Sequence, residues 1–206
     1  MTNPENQLIK IRREKLERLR TAGIDPYPHT YHRTHTASQA VDLFELEETG
    51  DDYRLSNVSI AGRVVAFRDL GKITFMDILD ERRRIQALFR RDLIPETYQM
   101  LHDGLDIGDW IGVEGSIFRT KRGEVTLEVE KWVMLSKSLR PLPEKWHGLT
   151  DVEARFRQRY LDLIASPVAR DIAIMRSQIV KALRRFMDDR GFMEVETPVL
   201  VSVPAG

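Results

Sequence analysis

Cysteine is absent from the 206 residues, which excludes disulfide scaffolds, thiolate zinc sites and cysteine nucleophiles. That absence is compatible with a reducing compartment. No apolar run is long enough to cross a membrane, and the first residues lack the apolar core of a secretory signal. A soluble, cytoplasmic chain with no membrane partner is therefore expected. A charge excess is lacking too: 32 Lys and Arg against 32 Asp and Glu leave no net charge, so bulk attraction to nucleic acid is not a driving force.

What is present is local charge. Lys10, Arg12, Arg13, Lys15, Arg18 and Arg20 crowd the first predicted helix, whereas Asp42, Glu45, Glu47, Glu48, Asp51 and Asp52 make the following segment acidic. A basic helix can grip phosphates in a salt-dependent way, but a solvated surface helix is the plainer reading of the same residues.

The hydrophobic pattern divides the chain. A helix over 5–22 ends at Gly23 and the turn-rich Asp25-Pro26-Tyr27-Pro28, and a second covers 37–48. From Val58 to Leu135 the period changes to two, clearest in Val125, Leu127 and Val129 with Thr126, Glu128 and Glu130 between them. Five strands are predicted, over 58–68, 73–79, 85–89, 109–118 and 124–135, with a short helical piece at 95–102 between the third and fourth. Three strands, a helix and two strands is the layout of a small Greek-key OB barrel. Gly62, Gly112 and Gly115 inside strands suit its tight curvature. A five-stranded sandwich is the alternative.

In an OB barrel, strands two and three and their neighbouring loops form the usual binding face. Alternation puts Thr74, Met76 and Ile78 on one side of strand two and Ile73, Phe75 and Asp77 on the other; in strand three Ile85, Ala87 and Phe89 point inward and Gln86 outward. An outward Phe75 can stack on a base, and the Gln86 amide can read a base edge with a donor and an acceptor. Arg68 and the run Arg82, Arg83, Arg84 can supply phosphate or base contacts. The competing reading buries Phe75 under the N-terminal helices and leaves the arginines as solvated turn residues.

Beyond the barrel, 136–150 contains Leu139-Arg140-Pro141-Leu142-Pro143 and has the stiffness of an interdomain linker. A short helix begins near Asp151 and runs toward Leu163. The next helix, over 167–190, carries Val168, Ile172, Met175, Ile179, Leu183 and Phe186 on one face. Ser166 can cap it, Pro167 suits its first position, and Gly191 can end it in the left-handed conformation. A strand-like run follows from Phe192 to Pro198. So long an apolar stripe wants a partner, which is a sheet if this is an ordinary core helix of a whole domain or a second subunit if it forms a symmetric contact.

Leu139-Arg140-Pro141-Leu142-Pro143, His147-Gly148-Leu149-Thr150, the run from Glu153 to Leu163, and Arg190-Gly191-Phe192-Met193-Glu194-Val195-Glu196-Thr197-Pro198 together resemble class II lysyl-tRNA synthetases. The segment from Ser177 to Pro198 resembles their motif 1, the helix and strand of the homodimer interface. Aspartyl and asparaginyl enzymes share the OB domain and motif 1; the linker and the 153–163 run favour the lysyl enzyme.

The resemblance implies an α+β chain: a helical appendix over 1–55, a five-stranded OB-fold anticodon-binding barrel over 56–137, a linker over 138–150, and the start of a class II catalytic domain over 151–206. It implies that Phe75 stacks on the central anticodon uridine while Arg68 and Gln86 read its edge, with Glu124 as a further anticodon contact. It places Ile179, Leu183, Phe186 and Pro198 in the dimer interface. The parent reaction is lysine–tRNA ligation, with lysine and ATP as substrates, tRNA as partner and Mg2+ as cofactor. Motifs 2 and 3, which bind ATP and magnesium in the family, lie downstream of motif 1. These 206 residues are accordingly expected to bind tRNA without catalysing the reaction, with no catalytic residue, metal ligand or cofactor of their own. A stand-alone, non-catalytic OB module for nucleic acid or protein, or a fragment of an aspartyl- or asparaginyl-type synthetase, are the alternatives.

Overall fold

The computed structural model describes residues 4–50, 52–81, 83–143 and 149–198, so Arg82, His147, Gly148 and Gly206 lie outside the described residues. The chain forms two compact units, Met1–Leu142 and Pro143–Gly206.

The first unit contains α1 (Pro4–Thr21), α2 (Ala37–Glu47), β1 (Leu55–Asp69), β2 (Ile73–Asp80), β3 (Arg83–Arg90), α3 (Pro95–Gly104), β4 (Trp110–Arg119) and β5 (Val125–Ser136). The strands close into a barrel in the order β1-β2-β3-β5-β4, which settles the choice between barrel and sandwich. All pairs are antiparallel except β3 with β5. Ile60, Val64, Met76, Ile78, Ile85, Ala87, Phe89, Ile111, Val113, Ile117, Leu127 and Val129 fill the interior from alternate positions. Closure depends on Gly115, beside the bulge of the β4–β5 pair. A Cβ there would lie 1.9 Å from the Glu128 carbonyl oxygen. At Gly112 the approach comes from an aromatic instead: Tyr31, in the segment between α1 and α2, lies where a Cβ would meet its ring at 2.3 Å, and its hydroxyl is 2.8 Å from Ser59 Oγ.

Polar anchors hold the helices to the barrel. Thr36 and Gln39 form a reciprocal capping box on α2, whose Ala37, Ala40, Val41 and Phe44 are buried. From α1, Arg12 donates to the carbonyls of Ile107, Ser138 and Arg140, and Lys15 Nζ donates to Asp106 Oδ1 at 2.8 Å. Lys137, fully buried, donates to Asp106 at 2.6 Å and to Asp109 at 2.7 Å. Burial, which raises the Asp106 carboxyl, is outweighed by Lys137 and Lys15, and the group is held below the usual carboxylate range. Asp109 lies deeper, and burial pushes it up against the pull of Lys137. Two members of the basic patch on the first helix are thus committed to holding the fold together.

The second unit contains α4 (Val152–Arg157), α5 (Arg159–Ala165) and α6 (Pro167–Asp188). The single helix expected from Asp151 toward Leu163 is broken at Gln158, whose φ of −115° and ψ of 50° leave the helical region. The break turns Arg155 and Arg159 onto Asp162, a buried carboxylate that both guanidiniums contact. α6 begins as its sequence dictates, with Ser166 Oγ accepting from the Ala169 N–H at 3.2 Å and Pro167 in the first turn. After the helix, Gly191 has φ +79°. The run from Phe192 to Pro198, expected as a strand, is not one: it pairs with no strand among the described residues, and an extended segment without a neighbour has no ladder. Among the described residues no helix is long and apolar enough to cross a membrane.

Candidate nucleic-acid interface

The outer face of β1, β2 and β3 is ordered by two rows of cross-strand neighbours. One row runs Arg68, Phe75, Leu88; the other runs Ala66, Asp77, Gln86. The β3–β5 pairing extends them to Glu128 and Thr126 respectively. Inward-facing Thr74, Met76 and Ile78 are fully buried, whereas Phe75 is only half-buried and lies outside the core cluster. The core under α2 therefore does not claim the ring, and part of it faces solvent on the barrel surface.

Arg68 is held over this face by charge. Its Nη2 donates to Asp77 Oδ1 at 2.9 Å, and Arg84 Nη1 stands 3.4 Å from Asp77 Oδ2. One largely buried carboxylate thus serves two arginines whose side chains remain 53% and 65% exposed. The three groups sum to one positive charge, and a guanidinium so placed has donors left over for a ligand. Of the expected arginine run, Arg83 instead lies near Asp42 and Glu45 of α2, at 3.9 and 3.8 Å.

Gln86 is fixed by a neighbour that alternation along one strand does not reveal. Thr126 Oγ1 donates to Gln86 Oε1 at 3.0 Å, leaving the amide NH2 with no partner among the described residues. Thr126 Oγ1 also lies 3.3 Å from the Glu124 carbonyl. Glu124 itself is exposed at the β4–β5 turn, where its N–H donates to Thr120 Oγ1 at 3.1 Å. The barrel thus gathers Arg68, Phe75 and Gln86 on one face and brings Glu124 to its edge through Thr126.

A second charged cluster was not foreseen. Glu128, largely covered, accepts from Arg54 Nη1 at 2.6 Å and Arg90 Nη1 at 3.3 Å. Arg90 also bonds Asp92, which raises the guanidinium and lowers the carboxyl. Its only sequence signal was the polar position of Glu128 among Val125, Leu127 and Val129. The pairing across β3 and β5 comes from barrel closure.

In the second unit, Ile179, Leu183 and Phe186 lie along an apolar stripe of α6, 62%, 61% and 50% exposed, with Val168, Ile172 and Met175 continuing it. Pro198 is exposed in the segment beyond the helix. Among the described residues no group of three or more His, Asp or Glu side chains is placed to hold a metal ion.

Residues 58–135 match the family model of an OB-fold nucleic acid binding domain, and residues 151–206 match that of the class II tRNA synthetases (D, K and N). Among curated proteins, the chain is 51% identical over 197 residues to a lysine–tRNA ligase of Dehalococcoides mccartyi, covering 96% of this chain and 40% of that protein. It is 50% identical over 203 residues to a lysine–tRNA ligase of Pelotomaculum thermopropionicum, covering 98% of this chain and 38% of the relative. A lysine–tRNA ligase of Prochlorococcus marinus is 41% identical over 209 residues, 98% of this chain and 41% of its own length. The chain spans about 40% of the length of the curated relatives it matches.

Proposed function

We propose that the chain is part of a class II tRNA synthetase of the D, K and N group, and that its barrel reads a tRNA anticodon in the service of lysine–tRNA ligation. The observation that carries this reading is the single row in which half-exposed Phe75 lies beside Arg68, with the Gln86 amide one row away. The ring stacks on a base, a contact worth about 1–3 kcal/mol for any base. Selectivity comes from the two polar groups. Arg68 offers only donors, and Gln86, its oxygen engaged by Thr126, presents its NH2. Donors on both sides suit the two carbonyl acceptors of a uracil. Cytosine places an amino donor where one carbonyl stands, setting donor against donor. Glu124, at the edge, is proposed to contact a neighbouring anticodon base.

In this reading Ile179, Leu183, Phe186 and Pro198 belong to a homodimer contact, supported by the exposure of an apolar stripe running the length of α6. Lysine, ATP and Mg2+ belong to the proposed ligation reaction in the cytoplasm, and no step of that reaction is assigned to the residues described here.

The test is a titration, at one fixed salt concentration, of anticodon stem-loops carrying UUU and the same loop with each position changed in turn. Preference for uridine at the central position supports the reading. Indifference to every change points to a general single-strand module, and a preference for another anticodon points to an aspartyl- or asparaginyl-type specificity.

A further inference from the structure

The proposal made here rests on the anticodon reading and concerns the same barrel face beyond Phe75. The strip that begins at Phe75 continues over Leu88 of β3 to Glu128 of β5. There Arg54, just before β1, has its guanidinium 4.9 Å from the centre of the Phe118 ring and donates to Glu128 Oε2 at 2.6 Å. Phe118 projects from the outer face of β4, opposite Thr126, the residue that fixes Gln86. Arg54 is thus backed by an aromatic ring on one side and tied at its edge by a largely buried carboxylate. It nonetheless remains 46% exposed.

An arginine used only for surface charge has no need of such support. A guanidinium immobilised as a plane is a stacking platform, because single-stranded bases stack on Arg planes as well as on aromatic rings. We propose that Arg54, backed by Phe118 and anchored by Glu128, stacks on a loop base flanking the one held by Phe75. The separation requires a different base. Glu128, to which Arg54 is tied, stands two strands from Phe75 along the β2-β3-β5 row, about 10 Å over the barrel surface, against 3.4 Å for one stacked base.

Lysine at position 54 keeps the charge and loses the plane, so Arg54→Lys is the informative variant. Its affinity for the UUU stem-loop, and for loops with an abasic site immediately 5′ or 3′ of the central base, is measured at fixed salt beside wild type and Phe75→Ala, with thermal melting of each variant. The expected result is a roughly tenfold loss for Arg54→Lys on the intact loop, an unchanged slope of affinity against salt, and no loss on one of the two abasic loops. Phe118→Leu, which keeps apolar volume without a ring, should reproduce this pattern. Equal binding by wild type and Arg54→Lys, or an equal loss on all three loops, overturns the proposal. If Phe75→Ala alone weakens binding, the anticodon reading stands and the second platform fails; if neither variant matters, both fail.

Discussion

Arg68 and Asp77 are joined across the β1–β2 pair, Nη2 to Oδ1 at 2.9 Å, and Arg84 approaches the same carboxylate from the other side. The carboxylate therefore limits how much positive charge this face shows and also aims Arg68. Asp77→Asn should separate those effects. Affinity for every stem-loop should rise as two guanidiniums are released to phosphates, and the salt slope should steepen by about 0.7 for each added phosphate contact. The ratio of affinities for central uridine over cytidine should fall. A variant with unchanged slope and unchanged ratio would show that Asp77 has no part in binding.

The hydrogen bond from Thr126 to Gln86 predicts a specificity change without a loss of fold. Thr126→Val removes the hydroxyl and keeps the volume, freeing the amide to rotate. Discrimination between uridine and cytidine at the central position should weaken by about 1 kcal/mol, roughly fivefold, the net worth of one hydrogen bond. Competition binding measures this directly, and equal discrimination by the two proteins contradicts it.

Stability should hinge on the buried cluster. Lys137→Met leaves Asp109 buried with its two backbone donors but without its charged partner, and is expected to cost about 3–5 kcal/mol in urea unfolding followed by tryptophan fluorescence. Gly115→Ala should also unfold the barrel, because a Cβ there meets a backbone carbonyl that no rotamer change can move.

Acid should reveal Asp106. Its carboxyl is depressed in the folded state, so it contributes stability above the unfolded value and loses that contribution as pH falls through the folded value. The window opens below about pH 4. The melting temperature of Asp106→Asn should fall less steeply there than that of wild type. Asp109 works in the opposite sense because burial raises it, so the comparison is made with Asp109 intact. Parallel curves for the two proteins would contradict the assignment.

Leu183 stands in the C-terminal part of the exposed α6 stripe, 61% exposed. If the stripe is a subunit contact, Leu183→Asp should convert a dimer into a monomer in light scattering while leaving stem-loop affinity per chain unchanged. An identical mass for both proteins would remove the stripe from the interface.

Most of the barrel was legible because its strands alternate cleanly. Val125, Leu127 and Val129 announce β5, and Thr74, Met76 and Ile78 announce the buried side of β2. Alternation also placed Phe75 and Gln86 outward, since a face follows from a period of two. What it could not give was the partner on the next strand. Thr126 and Glu128 reach β3 only through the parallel β3–β5 contact that closes the barrel, and Arg54 finds Phe118 through the β1–β4 pair. The failure at Phe192 to Pro198 has the same origin. Residue preference can propose an extended segment, but a neighbouring strand must complete it. In the second unit, the break at Gln158 carried no glycine or proline to announce it; its visible consequence is that Arg155 and Arg159 converge on Asp162.

The central claim is that the Phe75 ring holds the central anticodon base. It is tested most directly by a cycle of wild type and Phe75→Ala against a UUU stem-loop with the central base present or abasic, all at one salt concentration. Anticodon stacking predicts that wild type loses about 1–3 kcal/mol when the base is removed, and that Phe75→Ala, already lacking that energy, loses almost nothing further. Equal losses on removal of the base in both proteins would contradict it, because the base would then be held somewhere other than on Phe75.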